Sequence, residues 1–338
     1  MAVSPKTVLG VWHTIPELEN SVTFFLGIDG GGTSTRCGIA DEKEILTRST
    51  GPSSKISVVG AGLARSALRT AIAEACERAG IKPQQIGQTC VGLAGAARTP
   101  VVKSIQQILE EIVGGAVEVV GDMVIALESA VGSGPGMIVI AGTGSICFGR
   151  DSRGETARAG GWGPEISDEG SGTWIGRQAV SSALRAHDSG KNTALLHAVL
   201  KTWRAGSRDD LSQKANSSPP PDFSLLTPSV LEAAQASDHL ASGILDRAGV
   251  ELAELAFIVA RRLWPAAQNM PVCLTGGVLL HCEQVRNVFL REFKSKCPEA
   301  QVSSAEIDPV AGAIAMARGT HLKVSLPLAL KGTRRSQA

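Results

Sequence analysis

Residues 138–171 read IVIAGTGSICFGRDSRGETARAGGWGPEISDEGS, and how this stretch is taken decides the fold. A continuous apolar run, Met137 to Ile140, suits a strand buried on both faces. It breaks at Gly142-Thr143-Gly144-Ser145. Glycines at such a break let the backbone approach a ligand closely, and the N–H groups with the Thr143 and Ser145 hydroxyls are suited to phosphate oxygens. Taken alone, such a tetrapeptide describes an ordinary hairpin turn equally well.

A second copy changes that balance. Phe24 to Leu46, FFLGIDGGGTSTRCGIADEKEIL, repeats the layout of Met137 to Thr156: apolar strand, glycine turn with a threonine, second strand, polar hairpin turn, third strand. The pattern is that of an internal duplication, and two such halves imply a cleft between two phosphate-facing turns. The copies differ where Asp29 of the first is matched by Ala141 of the second. One half thus carries a carboxylate able to hold Mg²⁺ or position a phosphoryl group, while the other offers backbone and hydroxyls.

Composition agrees with two domains. The chain has 338 residues, 43% hydrophobic and 19% charged, with a net charge of +1. At roughly 150 residues per domain the length suits two, with enough chain for sizeable cores. No basic run is long enough to invite nucleic acid, the short Lys331 to Arg335 tail reading as a solvated terminus, so no nucleic-acid partner is expected, and no apolar stretch approaches the roughly 20 residues that span a bilayer. The seven cysteines are scattered and form no C-x-x-C pair, which predicts reduced, buried thiols in a cytoplasmic protein. Residues 1–20 lack the pattern of a secretory signal and read as a weakly ordered extension.

In chain order, the first domain is expected over 21–135. Strands near 24–28, 35–40 and 45–50 lead into Gly51-Pro52-Ser53-Ser54-Lys55, a loop at the mouth of the cleft. A helix follows over 58–79, ended by Gly80. A strand over 89–93 runs into Ala94-Gly95-Ala96-Ala97, whose small residues leave room for a substrate. A helix over 100–112 and a strand over 117–120 complete a ribonuclease-H-like order. Asp122 lies just past that last strand, where ligands bind in open α/β sheets; there it serves either as a catalytic base or as the cap of the helix over 123–131.

The second domain is expected over 136–307. Past its glycine turn come Gly160-Gly161-Trp162-Gly163-Pro164 and Ser167-Asp168-Glu169-Gly170. Glycines on both sides of Trp162 allow a tight fold over a flat polar ligand such as a sugar, with the indole as an apolar wall, and an Asp168 carboxylate suits two ring hydroxyls. Asp168 or Glu169 alternatively caps the helix over 172–186. Helical segments follow, with a surface loop at 216–222, two helices over 228–263, and a strand over 272–274 that ends in Gly276-Gly277, where a nucleoside can pack on backbone. A small-residue helix at 308–320 is expected to pack back on the first domain, followed by a tail over 321–338.

Together these turns, Asp122 and the GWGPEISDEGS block resemble the superfamily of acetate and sugar kinases, heat-shock cognate ATPases and actin. Within it the chain after Val22 is similar to the N-acetylglucosamine kinase group, which shares its family with the activator ATPases of 2-hydroxyacyl-CoA dehydratases and benzoyl-CoA reductases. The resemblance implies two ribonuclease-H-like (actin-like ATPase) α/β domains and an ATP- and Mg²⁺-dependent amino-sugar kinase. It implies that Gly30, Gly31, Gly32, Thr33, Thr143 and Gly144 contact the ATP phosphates, that Asp29 takes Mg²⁺ through water or phosphate, and that Gly276 and Gly277 adjoin the adenosine. Asp122 would be the base, Gly161, Trp162, Gly163 and Asp168 would hold the sugar, and Ser54 and Gly95 would line its site. Dimers are common in the group. Departures bear on the substrate: kinases of the group commonly have an asparagine in the loop matching Ser53-Ser54-Lys55, and the mammalian type another matching Ile146 and a histidine matching Pro164. N-acetylglucosamine, glucosamine and N-acetylmuramic acid therefore all stand as substrates at this point. A partner-activating ATPase is the alternative of another class.

Overall fold

The computed structural model describes residues 23–31, 34–93, 99–265 and 269–319, so the expected extension over 1–20 and tail over 321–338 lie outside the described residues. The first lobe opens with an antiparallel meander, β1 (Phe24–Gly30), β2 (Ser34–Ala40) and β3 (Ile45–Pro52). After α1 (Ile56–Ala79) come β4 (Ile86–Leu93), α2 (Thr99–Glu110), β5 (Ala116–Gly121) and α3 (Asp122–Val131). The second lobe repeats the meander as β6 (Gly136–Ala141), β7 (Ser145–Arg150) and β8 (Thr156–Gly160). A helical block follows: α4 (Gly172–Asp188), α5 (Ala194–Thr202), α6 (Arg208–Ala215), α7 (Thr227–Gln235) and α8 (His239–Leu263). Then come β9 (Pro271–Thr275), α9 (Gly277–His281), α10 (Glu283–Lys296), β10 (Gln301–Ser304) and α11 (Pro309–Ala317).

The duplication seen in the sequence is a duplication of topology. One sheet runs β3-β2-β1-β4-β5 and the other β8-β7-β6-β9-β10, each with its meander antiparallel and its last two strands parallel to the first. Short polar turns suffice for the meander, whereas the parallel strands need helical crossovers. The central strands are buried on both faces, as their apolar runs require. On β6, Met137, Val139 and Ala141 enter the core under the helical block, while Ile138 faces the core between the lobes.

That central core is built around α3 and α11, which join Phe25 of one sheet to Ile138 and Phe148 of the other. Helix α11, though it follows the second lobe in sequence, packs on β1, β2 and α3. The seat is cut by glycines: Gly27 and Gly38 pair across β1 and β2, and a Cβ on either would lie 2.7 Å from Ile314 or Val310. Helices approach this closely only where side chains are absent.

Two expectations need correction. The first helix begins at Ile56, two residues earlier than periodicity indicates, because Gly60 (φ 78°, ψ 164°) interrupts it and its opening turn is set off from the rest. β10 has no counterpart in the sequence reading. Gln301–Ser304 is an edge strand of three exposed polar residues around a half-buried Val302, too short for apolar alternation.

Candidate active site

Strand register brings the first half of the site together. Gly30, Leu93 and Gly121 are partners across β1, β4 and β5, so Asp29 and Asp122 lie at one edge of the sheet, two strands apart, or about 10 Å. This carboxyl edge is where open parallel sheets bind ligands. Asp29 is buried and sits opposite Arg36 on β2, whose guanidinium donates twice to Oδ2, at 3.1 and 2.5 Å.

Asp122 opens α3 without capping it in the usual way. Gly121 is the cap residue, and the Asp122 Oδ1 accepts from the N–H of Met123 at 3.0 Å. Burial pushes its carboxyl above the ordinary aspartate range; the Met123 N–H pulls it back, the charge of Asp29 adds to the rise and that of Lys55 opposes it.

The first glycine turn is braced from the loop after β3. The Ser53 hydroxyl donates to the Gly31 carbonyl at 3.1 Å, and the Ser54 hydroxyl accepts from Thr35 at 2.8 Å. Ser54 is fully buried behind the turn, so its hydroxyl is engaged in the wall and does not line the cleft as expected. Gly32, Thr33 and Gly95 lie outside the described residues.

Across the cleft, the Gly142–Gly144 turn is clamped onto the start of α4. Gly172 N–H donates to the Gly142 carbonyl at 2.7 Å and Thr173 N–H to that of Thr143 at 3.2 Å. Thr143 is exposed, its side chain open to solvent. Ser145, expected to share its phosphate role, is buried and donates to the Glu169 carbonyl at 2.7 Å, which fixes the following loop instead. The third turn adjoins the second: a Cβ on Gly142 would lie 4.0 Å from the Gly277 nitrogen. Gly276 (φ 91°) must be glycine, since its Cβ would meet the Ala141 carbonyl at 2.5 Å.

Asp168 reaches this assembly from its own loop. It holds the left-handed conformation (φ 66°) unusual for a residue with a side chain, and it is buried. Its carboxylate lies beside Gly144, where a Cβ would sit 2.9 Å from Oδ2. Burial raises its pKa, backbone N–H groups of Gly163 and Ser145 lower it, Glu169 raises it and Lys55 lowers it. Helix capping is not its task, because Ser171 accepts from the N–H of Trp174 at 3.1 Å. Non-glycine residues held in strained backbone conformations concentrate at functional sites.

The loop that carries Trp162 is placed less as expected. Gly161 and Gly163 both have positive φ, 69° and 100°, but Trp162 is 66% exposed, with the Arg158 guanidinium 4.1 Å from its ring centroid. Arg177 holds the same loop through Pro164 and Glu165. Two basic residues the sequence reading assigns no role act on the aspartates of the site: Arg36 pairs with Asp29, and the charge of Lys55 lowers the pKa of Asp122 and Asp168. Arg36 was legible as the residue opposite Asp29 once the first meander was registered. Lys55 carries no signal of its own.

Three glycine turns and three aspartates thus lie on two duplicated lobes of actin-like α/β topology. Residues 26–317 match the BadF/BadG/BcrA/BcrD ATPase family, and the chain belongs to that family. It is 34% identical over 303 residues to an N-acetylmuramic acid/N-acetylglucosamine kinase of Clostridium acetobutylicum, across 87% of this chain and 98% of that one. An N-acetyl-D-glucosamine kinase of Dictyostelium discoideum is 29% identical over 313 residues, across 88% and 98%. Among solved structures, one from Chromobacterium violaceum proposed as an N-acetylglucosamine kinase superposes with a TM-score of 0.72 at 28% identity, covering 88% of this chain and 99% of that one.

Proposed function

We propose that this protein transfers the γ-phosphoryl group of ATP to the primary hydroxyl, O6, of an amino sugar, with N-acetylglucosamine foremost and glucosamine or N-acetylmuramic acid as alternatives. The observation that carries the reading is that each lobe sets an aspartate by a glycine turn, Asp122 at the same sheet edge as the first turn and Asp168 beside Gly144 of the second. Acceptor-only carboxylates suit sugar hydroxyls, and open backbone N–H groups suit phosphates.

In this reading Asp168 accepts hydrogen bonds from ring hydroxyls and holds the sugar so that O6 faces Asp122. Asp122 takes the O6 proton as the new O–P bond forms, the bond between the γ-phosphorus and its bridging oxygen breaks, and ADP leaves; such a base is worth about 10²–10⁴-fold in rate. Gly30, Gly31, Gly32, Thr33, Thr143 and Gly144 cradle the phosphates, and Gly276 with Gly277 adjoins the adenosine. Gly161, Trp162 and Gly163 close over the sugar, and Gly95 keeps the substrate role the resemblance implies.

Among the described residues no group of three or more His, Cys, Asp or Glu side chains forms a metal site. A Mg²⁺ carried by phosphates and water needs only one protein carboxylate, and buried Asp29, with Arg36 on its Oδ2, fits that requirement. When bound, the metal neutralises charge on the transferring group.

The partner-activating alternative is not favoured. All seven cysteines are free and buried, so none is presented for a cluster shared between chains. Unpaired thiols also support a reducing compartment, which we take to be the cytoplasm. No helix among the described residues is long and apolar enough to cross a membrane. A homodimer belongs to the same reading and is checked by light scattering. The deciding experiment is ADP release from Mg-ATP with each of the three amino sugars and with glucose, against a no-sugar control. A rate raised by one amino sugar is expected; equal release with and without every sugar would overturn the proposal.

A further inference from the structure

Guanidinium groups, far more than burial, hold the Trp162 loop to the rest of the protein. Trp162, Pro164, Glu165 and Ile166 are exposed, Ile166 by 81%. Within the loop the Gly163 carbonyl accepts from the N–H groups of Ile166 and Ser167, at 3.1 and 2.9 Å, which closes a turn without anchoring it to another element. A turn with so little buried surface gains little to offset the backbone entropy lost in ordering it. Its anchors are Arg158 on β8, whose guanidinium lies 4.1 Å from the Trp162 ring centroid, and Arg177 on α4. Arg158 lies against the indole. Arg177 takes the turn itself, donating from Nη1 to the Pro164 carbonyl and from Nη2 to Glu165 Oε1 at 2.6 Å.

Arg177 stands on a rigid base. Its neighbour Gly176 is pressed against the short helical segment Phe223–Leu226, where a Cβ would lie 2.0 Å from the Phe223 carbonyl oxygen. The Arg177 guanidinium is 5.2 Å from the centroid of the same Phe223 ring, which is buried and set edge-on to Trp203 at 5.0 Å. One turn earlier, α4 holds the second glycine turn, with the Gly172 N–H on the Gly142 carbonyl and the Thr173 N–H on that of Thr143. One helix therefore fixes the Gly142–Gly144 turn with its first residues and the Trp162 loop with Arg177. The hold extends to Asp168, because the N–H of Gly163, next to the carbonyl that Arg177 grips, is a hydrogen-bond partner of the Asp168 carboxylate.

We propose that Arg177 is a positioning residue of the sugar site: it keeps the Trp162 loop ordered, in fixed relation to the Gly142–Gly144 turn, so that an amino sugar binds without first having to order the loop. This rests on the sugar-kinase reading and deepens it. In this role Arg177 acts through the Pro164 carbonyl and need not touch the sugar. Without the guanidinium the ordering falls to the sugar, and the loss appears in sugar affinity. Shape matters as well as charge, since a lysine ammonium has neither the fixed fork of donors nor the flat face that lies over Phe223.

The test compares the full-length wild-type protein with Arg177→Gln and Arg177→Lys. Hydrogen–deuterium exchange reads the loop directly: in Arg177→Gln the Ile166 and Ser167 amides are expected to exchange faster while protection through α4 is kept. Calorimetric titration with N-acetylglucosamine, N-acetylmuramic acid and glucosamine, and separately with ADP, reads the ligands. Affinity for any sugar the wild type binds is expected to fall about 10-fold in Arg177→Gln, the low end for a hydrogen bond to a charged group because Arg177 is partly exposed, and that for ADP to hold. In turnover the loss should appear in KM for the sugar more than in kcat, and Arg177→Lys should recover part of it. A loop that exchanges as in wild type, an unchanged sugar affinity, equal losses for sugar and ADP, or exchange that rises throughout α4 would each overturn the assignment and leave the kinase reading standing. Binding of no amino sugar by the wild-type protein would remove the sugar reading and this inference with it.

Discussion

Arg150 on β7 and Glu128 on α3 form an ion pair at 3.1 Å between side chains only 1% and 2% exposed, and it ties the helix headed by Asp122 to the sheet of the other lobe. The same guanidinium donates to the carbonyls of Gly132 and Gly134, at 2.5 Å and 3.0–3.3 Å, in the segment that connects α3 to β6. All three guanidinium nitrogens of Arg150 thus donate at the crossing between lobes.

Breaking a buried pair strands the remaining charge, whereas replacing both partners with apolar groups does not. Arg150→Met is expected to cost about 3–5 kcal/mol, the range for an uncompensated buried charge, and Arg150→Met with Glu128→Leu distinctly less. Urea unfolding of the two variants checks this. Equal losses would mean that the carbonyl bonds of Arg150, and not its ion pair, hold the crossing.

The same helix carries the proposed base, so its titration should be visible in turnover. Asp122 must be ionised to accept a proton, and burial raises its pKa above the ordinary aspartate value. The acidic limb of kcat/KM for the sugar is therefore expected at higher pH than an unperturbed aspartate near 3.9 would give. Asp122→Asn should lose about 10²–10⁴-fold in kcat while still binding sugar. Near-normal turnover in that variant would remove Asp122 from the role.

Stability should move in the opposite sense. A carboxyl whose pKa is higher folded than unfolded binds protons preferentially in the native state, so its contribution worsens as pH rises from the unfolded to the folded value. Above that window, at neutral pH, the cost of burying the charged forms of Asp122 and Asp168 is fully present. Asp122→Asn and Asp168→Asn are each expected to raise Tm at pH 7 and to show a smaller gain at pH 4. A lower Tm at neutral pH for both would show that the bonds from Met123, Gly163 and Ser145 outweigh burial.

Which parts of this arrangement a sequence can disclose depends on the range over which they are determined. The two meanders were legible because strand, glycine turn and strand are contiguous and occur twice, and the position of Asp122 because it directly follows a strand whose last residues, Val120 and Gly121, are buried. Ser54 and Ser145 look like ligand hydroxyls in sequence, yet Thr35 and the Glu169 carbonyl occupy them, partners 19 and 24 residues away. Lys55 has no periodicity, motif or neighbour to mark it. Gln301–Ser304 became a strand only because β9 offered an open edge, with Val302 registered against Val272.

Helix α11 returns the chain to the first lobe, and its closeness to α3 tests how firmly the two are locked. A Cβ on Gly312 would lie 2.0 Å from the Ile125 carbonyl oxygen, backbone that cannot move aside cheaply. Gly312→Ala is expected to destabilise by about 1–3 kcal/mol through overpacking, although alanine is the better helix former. A neutral or stabilising effect in thermal unfolding would show that α11 sits further from α3 than the structure places it.

Asp308 decides how α11 begins. Its carboxylate accepts from the N–H of Ala311 at 3.2 Å as a helix cap and pairs with Arg48 of β3, while its own N–H donates to Ser129 of α3 at 3.0 Å. Burial alone would raise its pKa, but the Arg48 and Ala311 bonds together outweigh burial and hold it below the ordinary value. A depressed carboxyl stabilises fully above its unfolded pKa, near 3.9, and loses that contribution as pH falls through the folded value. Because both side chains of the pair are close to half exposed, the Coulomb part is small and the cap is the larger share. Asp308→Ala is therefore expected to cost about 1 kcal/mol at pH 7, the usual cost of a lost cap. The difference from wild type should shrink when unfolding is repeated at pH 3. A loss that stays constant with pH would mean that the carboxylate charge contributes nothing and that α11 is held by its glycine seat alone.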